Sequence, residues 1–181
     1  MNTLFGRPDF ADADRAQQNC YLLANGLGGY SALSGAFSAT RGDHALLMAC
    51  PMPPTERLDL VHRLGEEAEV DGQRFCLSTQ DLDRAPGEDG WRALALWDAA
   101  APRWVYEAFG VRVTRRVALA YGENTVAVQY TVENHAAAPC TLRVTPWLRF
   151  VPKGGRLTRR RRFLWQDGQI ESGGVRLYYA V

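Results

Sequence analysis

The chain has 181 residues, 46% of them apolar and 23% charged, with a net charge of +1. That length is enough for one domain with a real core, and near-neutrality excludes a global pull toward nucleic acid or anionic membrane. The four cysteines, Cys20, Cys50, Cys76 and Cys140, lie far apart with no C-x-x-C pair, which argues against zinc and a disulfide framework and for a reduced, cytoplasmic setting.

Residues 1–19 are polar and read as a short helix or a loose leader. Arg7, Asp9, Asp12, Asp14 and Arg15 stand where a signal peptide would need an apolar core. Residues 20–24, 30–37 and 44–50 read as short strands. The longest apolar run, 45–52, cannot span a bilayer, and Pro51, Pro53 and Pro54 interrupt the ladder after it. Residues 58–70 read as a strand with a break near Gly65, and Asp71-Gly72 as a hairpin turn into a return strand over 73–78. Residues 81–90 are acidic and turn-rich, a surface loop.

In the next strand Trp91, Ala93, Ala95 and Trp97 share one face, and Arg92, Leu94 and Leu96 the other. After a turn at 99–102 and a strand over 104–109, three segments alternate with period two. Val111, Val113, Val117 and Leu119 oppose Arg112, Thr114 and Arg116. Val126, Val128, Tyr130 and Val132 oppose Thr125, Gln129, Thr131 and Glu133. Leu142, Val144, Leu148 and Phe150 oppose Arg143, Thr145 and Arg149. This predicts an antiparallel meander with one covered face. Residues 153–162 are basic, and three more short strands end the chain. The whole reads as all-β, an antiparallel two-sheet sandwich forming a single domain over 1–181. Its last strand stops unbounded, as expected of a fragment of a longer protein or of a strand paired inside the sheet; left unpaired, it would allow an edge-to-edge homodimer.

Two motifs stand out. Asn25-Gly26-Leu27-Gly28-Gly29-Tyr30 puts three glycines within four residues, a sign of backbone at positive φ or of something approaching it closely. The spacing fits neither a dinucleotide fingerprint nor a phosphate loop, and a tight hairpin turn is the plain alternative. Thr40-Arg41-Gly42-Asp43-His44 gathers a hydroxyl, a guanidinium, a carboxylate and an imidazole. Such groups could hold sugar hydroxyls, with Tyr30 stacking on a pyranose ring. The plain alternative is an ion pair from Arg41 to Asp43 or a neighbour, with His44 capping a turn.

These motifs resemble the N-terminal domain of the bacterial and archaeal type of glycogen debranching enzyme (amylo-α-1,6-glucosidase). Asn25 to Ser31 match that family's opening motif. Thr40, Arg41, His44, Leu46 and Leu47 match its second, while Ala39, Gly42, Asp43 and Ala45 depart from it. Glu66-Glu67-Ala68-Glu69-Val70-Asp71-Gly72 and Gly122-Glu123-Asn124-Thr125-Val126 are similar to its acidic hairpin and to a later strand start. The resemblance implies a supersandwich of the galactose-mutarotase-like kind, followed in the family by an (α/α)6 barrel that carries the catalytic carboxylates. Such a barrel needs close to 200 residues of its own, so this chain alone is expected to be inactive, and none of its carboxylates is expected to be catalytic. Instead, Asn25, Gly28, Gly29, Tyr30, Thr40, Arg41 and His44 become candidate substrate-binding residues. The implied partners are α-glucan (glycogen or limit dextrin) and the barrel in cis.

Other chemistry finds little support. The Glu66-Glu67-Ala68-Glu69 run reads as a solvated strand face. Arg156 to Arg162 reads as a solvated loop or docking face rather than a nucleic-acid site. His62 and His135 stand alone, so neither a metal nor another cofactor is expected, and Ser31, Ser34 and Ser38 lack a nucleophile elbow. Two competing readings stay open: a stand-alone α-glucan-binding module, and a mutarotase-like epimerase needing histidines and a carboxylate in one cleft.

Overall fold

The computed structural model describes residues 3–82 and 87–181. A strand Leu4–Gly6 (β1) leads through a 3-10 turn, Arg7–Phe10, to a short helix Ala13–Gln17 (α1). Asp12 caps that helix, accepting from the Arg15 N–H at 2.8 Å. There follow β2 (Leu23–Ala24), β3 (Tyr30–Ala32), β4 (Ala45–Met52), β5 (Glu56–Val70), β6 (Gln73–Cys76), β7 (Thr79–Gln80) and β8 (Glu88–Asp89). Then come β9 (Leu94–Asp98), β10 (Arg103–Ala108), β11 (Val111–Leu119), β12 (Val126–Asn134) and β13 (Cys140–Pro152). A small meander, β14 (Leu164–Gln166), β15 (Gln169–Ser172) and β16 (Val175–Tyr178), completes the order.

Two antiparallel sheets face each other. One has the order β1-β9-β10-β11-β12, the other β13-β5-β4-β3-β2 with β6 also on β5. The long strand β5 is the axis of the second sheet. β13 pairs along one side of it from Val70 to Leu58, while β4 and then β6 share the other. The hairpin at Asp71-Gly72 forms as predicted, with φ of 50° and 72°, the left-handed pair a two-residue turn requires.

Several strand expectations need correction. β5 runs unbroken through Gly65 because β13 pairs with it there. The strand expected over 30–37 ends at Ala32; the chain then turns on itself, with Ser34 N–H bonded to Ser38 O and Phe37 at φ 55°. The meander loses its third member, since β13 crosses to the other sheet instead of pairing with β12. Alternation tells which face a strand buries, but not which strand lies beside it. Finally, Trp91 sits on a 3-10 turn, Gly90–Arg92, and Leu94 turns inward with Trp97 rather than away from it. A register shift between Val105 and Tyr106 absorbs the slip. Of the loop expected over 81–90, residues 83–86 lie outside the described residues, and Glu88–Asp89 pair with Thr79–Gln80.

The core lies between the two sheets. Trp97, Trp104 and Tyr106 come from the first, and Tyr21, Leu33 and Phe37 approach from the second; all are nearly fully buried. Tyr21 and Phe37 meet Trp104 edge-on at centroid distances of 5.2 and 5.3 Å. At the centre sits Arg115, fully buried and in phase with Val113 and Val117. Its guanidinium bonds Glu66 of the opposite sheet and the Tyr106 hydroxyl, and lies 3.4 Å from the Phe37 ring centroid. Tyr130 donates to the other oxygen of Glu66. This corrects the reading of Glu66-Glu67-Ala68-Glu69 as a solvated face: Glu66 and Ala68 are buried. Glu67 and Glu69 point the other way, where Arg143 and Arg74 pair with them. Burial pushes the Glu66 carboxyl up, and the Arg115 charge pulls it back. A carboxylate so engaged acts as an anchor between the layers.

Candidate functional site

The glycine motif forms an elbow between β2 and β3, held from within by Asn25. This side chain is fully buried and uses all its hydrogen-bonding positions. Its Oδ1 accepts from the Leu27 and Gly29 N–H groups, each at 2.9 Å. Its Nδ2 donates to Glu123 O at 2.8 Å and to Asn124 Oδ1 at 3.1 Å. Asn124 in turn behaves like a strand neighbour of Cys50, accepting from its N–H at 2.8 Å and donating to its carbonyl at 3.2 Å. The Gly122 N–H closes the arrangement on Asn25 O at 2.8 Å. The elbow of one sheet is thus clasped to the β11–β12 turn of the other. The two glycine-containing motifs that looked separate in sequence are one structural unit.

Two glycines are required here. Gly28 has φ 97°, and its carbonyl accepts from Arg57 Nε at 2.6 Å. A Cβ on Gly29 would sit 2.7 Å from Asn25 Nδ2 and 3.0 Å from Met48 O, inside the clasp itself. The elbow's outer side carries Tyr121, whose ring lies against Gly26 while remaining 86% exposed.

The polar hook precedes β4. His44 is buried and caps its own turn: the Thr40 N–H donates to Nδ1 at 3.2 Å, and the His44 N–H bonds Arg41 O at 3.0 Å. Burial holds the imidazole below its ordinary range, while a backbone hydrogen bond with Ser38 and the Asp43 charge oppose that shift in part. The ring is therefore neutral near pH 7, with Nδ1 as acceptor. Arg41 is exposed and makes no ion pair among the described residues, so of the plain alternative the turn cap by His44 forms and the ion pair from Arg41 to Asp43 or a neighbour does not. Thr40 and Asp43 are exposed beside it.

Tyr30 joins elbow to hook. It follows Gly29 directly, and its hydroxyl donates to Asp43 O at 2.8 Å. The ring is half-buried, with the Lys153 ammonium 5.5 Å from its centroid. Burial, then the Asp43 charge, push the phenol up. Sequence reasoning missed a further cluster beside this ring. Asp59, opposite Met48 on β5, holds His62 Nδ1 at 2.8 Å and Arg149 Nη1 at 3.1 Å through one oxygen. Its other oxygen is buried and has no hydrogen-bond partner among the described residues. The Asp59–His62 spacing of three on one strand gave no signal, since a regular strand turns such residues to opposite faces. The register shift between Leu47 and Met48 brings them together.

Of the seven predicted site residues, Asn25, Gly28 and Gly29 shape the elbow, His44 shapes the hook, and Tyr30 spans the two. Thr40 and Arg41 present their side chains to solvent. Among the described residues no group of three or more His, Cys, Asp or Glu side chains gathers to hold a metal, and no helix is long and apolar enough to cross a membrane.

Together these features define an all-β, two-layer domain built around a braced glycine elbow and a polar hook. The chain belongs to the family of glycogen debranching enzyme N-terminal domains, whose model matches residues 19–177. The match takes in the elbow, the hook, the clasping turn and every strand from β2 to β15. Comparison with curated proteins and with solved structures gave no match.

Proposed function

We propose that this domain serves a glycogen-debranching α-1,6-glucosidase as a non-catalytic module that positions branched α-glucan and supports the catalytic barrel in the cytoplasm. The observation that carries this reading is the braced hook: an exposed Arg41, with no ion pair among the described residues, stands beside Thr40 on a turn braced by His44 and joined through Tyr30 to the elbow. A guanidinium held by its backbone but free at its tip can give two parallel donors to vicinal sugar hydroxyls. Tyr30, which follows Gly29, and the exposed Tyr121, whose ring lies against Gly26, offer aromatic surface at the elbow. The carboxylates of the Glu66–Glu69 run are all engaged by arginines, which fits a role in holding substrate rather than breaking its bonds. Four free thiols suit a reducing compartment.

The test is Arg41→Ala in an intact debranching enzyme carrying this domain. Affinity for branched α-glucan falls roughly tenfold, as expected for losing a charged hydrogen-bond donor, while the unfolding temperature stays put. Unchanged affinity together with unchanged stability removes the proposal. The isolated chain releases no glucose from a limit dextrin; release that a single carboxylate substitution abolishes would contradict the non-catalytic reading.

A further inference from the structure

The outer face of the first sheet carries a feature unrelated to the elbow. Arg103 on β10 and Arg116 on β11 stand directly opposite each other in the antiparallel register. Like charges at such positions repel. Neither makes an ion pair among the described residues. Other cations on this face are matched: Arg7 and Arg112 both bind Glu107, at 3.2 and 2.6 Å, and Glu133 lies opposite Arg112. Asp98 is Arg103's neighbour on β9, but its carboxylate turns to the N–H groups of Ala100 and Ala101. Among the described residues these two guanidiniums are therefore left without an ion pair, while Glu107 and Glu133 are engaged by or lie opposite other arginines.

Arg103 and Arg116 line a cleft of about 550 Å³ together with Val105, Thr114, Arg7, Arg112 and the carboxylates of Glu107 and Glu133, so that its arginines outnumber its carboxylates. That size suits a small-molecule ligand. Gln129 stands opposite Arg116 on β12, a neutral donor and acceptor beside that guanidinium's strand position. A phosphate group matches this arrangement: it carries close to two negative charges, and its oxygens accept paired N–H bonds from guanidinium forks. A carboxylate would satisfy one fork and leave the other.

We propose that this cleft is an anion site that takes a phosphate group, bridging Arg103 and Arg116. The site is separate from the elbow and hook and stands independently of the glucan-positioning role. The ligand is either inorganic phosphate or a sugar phosphate monoester.

The full chain is titrated by calorimetry with inorganic phosphate and, separately, with glucose 6-phosphate, at ionic strength fixed with sodium chloride; thermal unfolding is followed in parallel. Saturable binding is expected, with the unfolding midpoint raised by about 3–6 °C when free ligand is at roughly ten times its Kd. Tighter binding of the sugar phosphate identifies a monoester site, and equal or tighter binding of phosphate identifies the free ion. Arg103→Ala and Arg116→Ala each weaken binding roughly tenfold. In phosphate-free buffer both unfold at a higher temperature than the parent chain, because the repulsion is gone. Arg116→Lys keeps the charge but not the fork, and falls between. Absence of binding overturns the proposal. So does a non-saturating rise in stability shared by the alanine variants, which is the general effect of phosphate excluded from protein surfaces.

Discussion

Two polar assemblies join the same two sheets, and they do so by opposite means. The clasp of Asn25 and Asn124 is neutral: side-chain amides satisfy backbone groups that would otherwise be left open. The pairing of Arg115 with Glu66 is ionic and fully buried among Phe37, Trp104 and Tyr106. The clasp needs only hydrogen-bond geometry to be favourable. The ion pair must overcome the desolvation of two charges, and Arg115 Nε is buried with no hydrogen-bond partner among the described residues. The clasp therefore serves stability directly, whereas the ion pair fixes which residues of the two layers face each other.

The sharpest way to break this contrast is to remove one charge. Glu66→Ala strands Arg115 in the core and is expected to cost about 3–5 kcal/mol in denaturant unfolding. Replacing the pair together, Glu66→Leu with Arg115→Met, recovers most of that loss, since the layers then meet through apolar contact. If the double variant is as unstable as the single one, the pair stabilises in its own right and the contrast fails.

Next in size is the clasp. Asn25→Ala leaves the Gly29 and Leu27 N–H groups unpaired and is expected to cost about 2–3 kcal/mol. Asn124→Ala costs somewhat less, and the two losses do not add, because each residue supports the other. Strict additivity in a double-mutant cycle would mean that the elbow and the β11–β12 turn are held independently. Gly29→Ala, which forces a methyl group against Asn25 Nδ2, falls in the same range, at about 1–3 kcal/mol.

A smaller effect appears with pH. The folded His44 pKa lies below its ordinary value of 6.5, so between those two values the unfolded chain binds more protons than the folded one. Stability from this residue is complete above pH 6.5 and declines as pH falls through the lowered folded value. In His44→Gln the acid-side slope of unfolding midpoint against pH flattens; an unchanged slope assigns it to other groups. Smallest is Arg74→Ala, which removes exposed pairs with Glu67 and Glu69 and shifts stability by no more than about 0.5 kcal/mol.

The same contrast explains what could be read in the sequence. Strand positions and faces were legible wherever period-two alternation ran unbroken, as in β11 and β12, and the Asp71-Gly72 turn announced itself. Asn25 and its glycines were legible as a unit because their spacing is local. The family resemblance also pointed to Asn124, although not to its contact with Asn25. Arg115 was invisible for a physical reason: a charge in phase with valines makes sense only once Glu66, 49 positions away, is known to meet it. The path of β13 was hidden likewise, since its partner depends on the whole sheet. At the hook, composition gave the residues but not their division of labour, in which His44 braces and Arg41 reaches outward.

The clasp also bears on how the molecule assembles. Asn25 and Asn124 are 99 positions apart, so the elbow cannot reach its final form until strands from both halves of the chain have come together. Contacts of such long sequence separation are costly in loop entropy and tend to form late. Exchange of the Leu27 and Gly29 amide protons with solvent accordingly reports on the docking of the two layers, and the elbow is complete only once they have met.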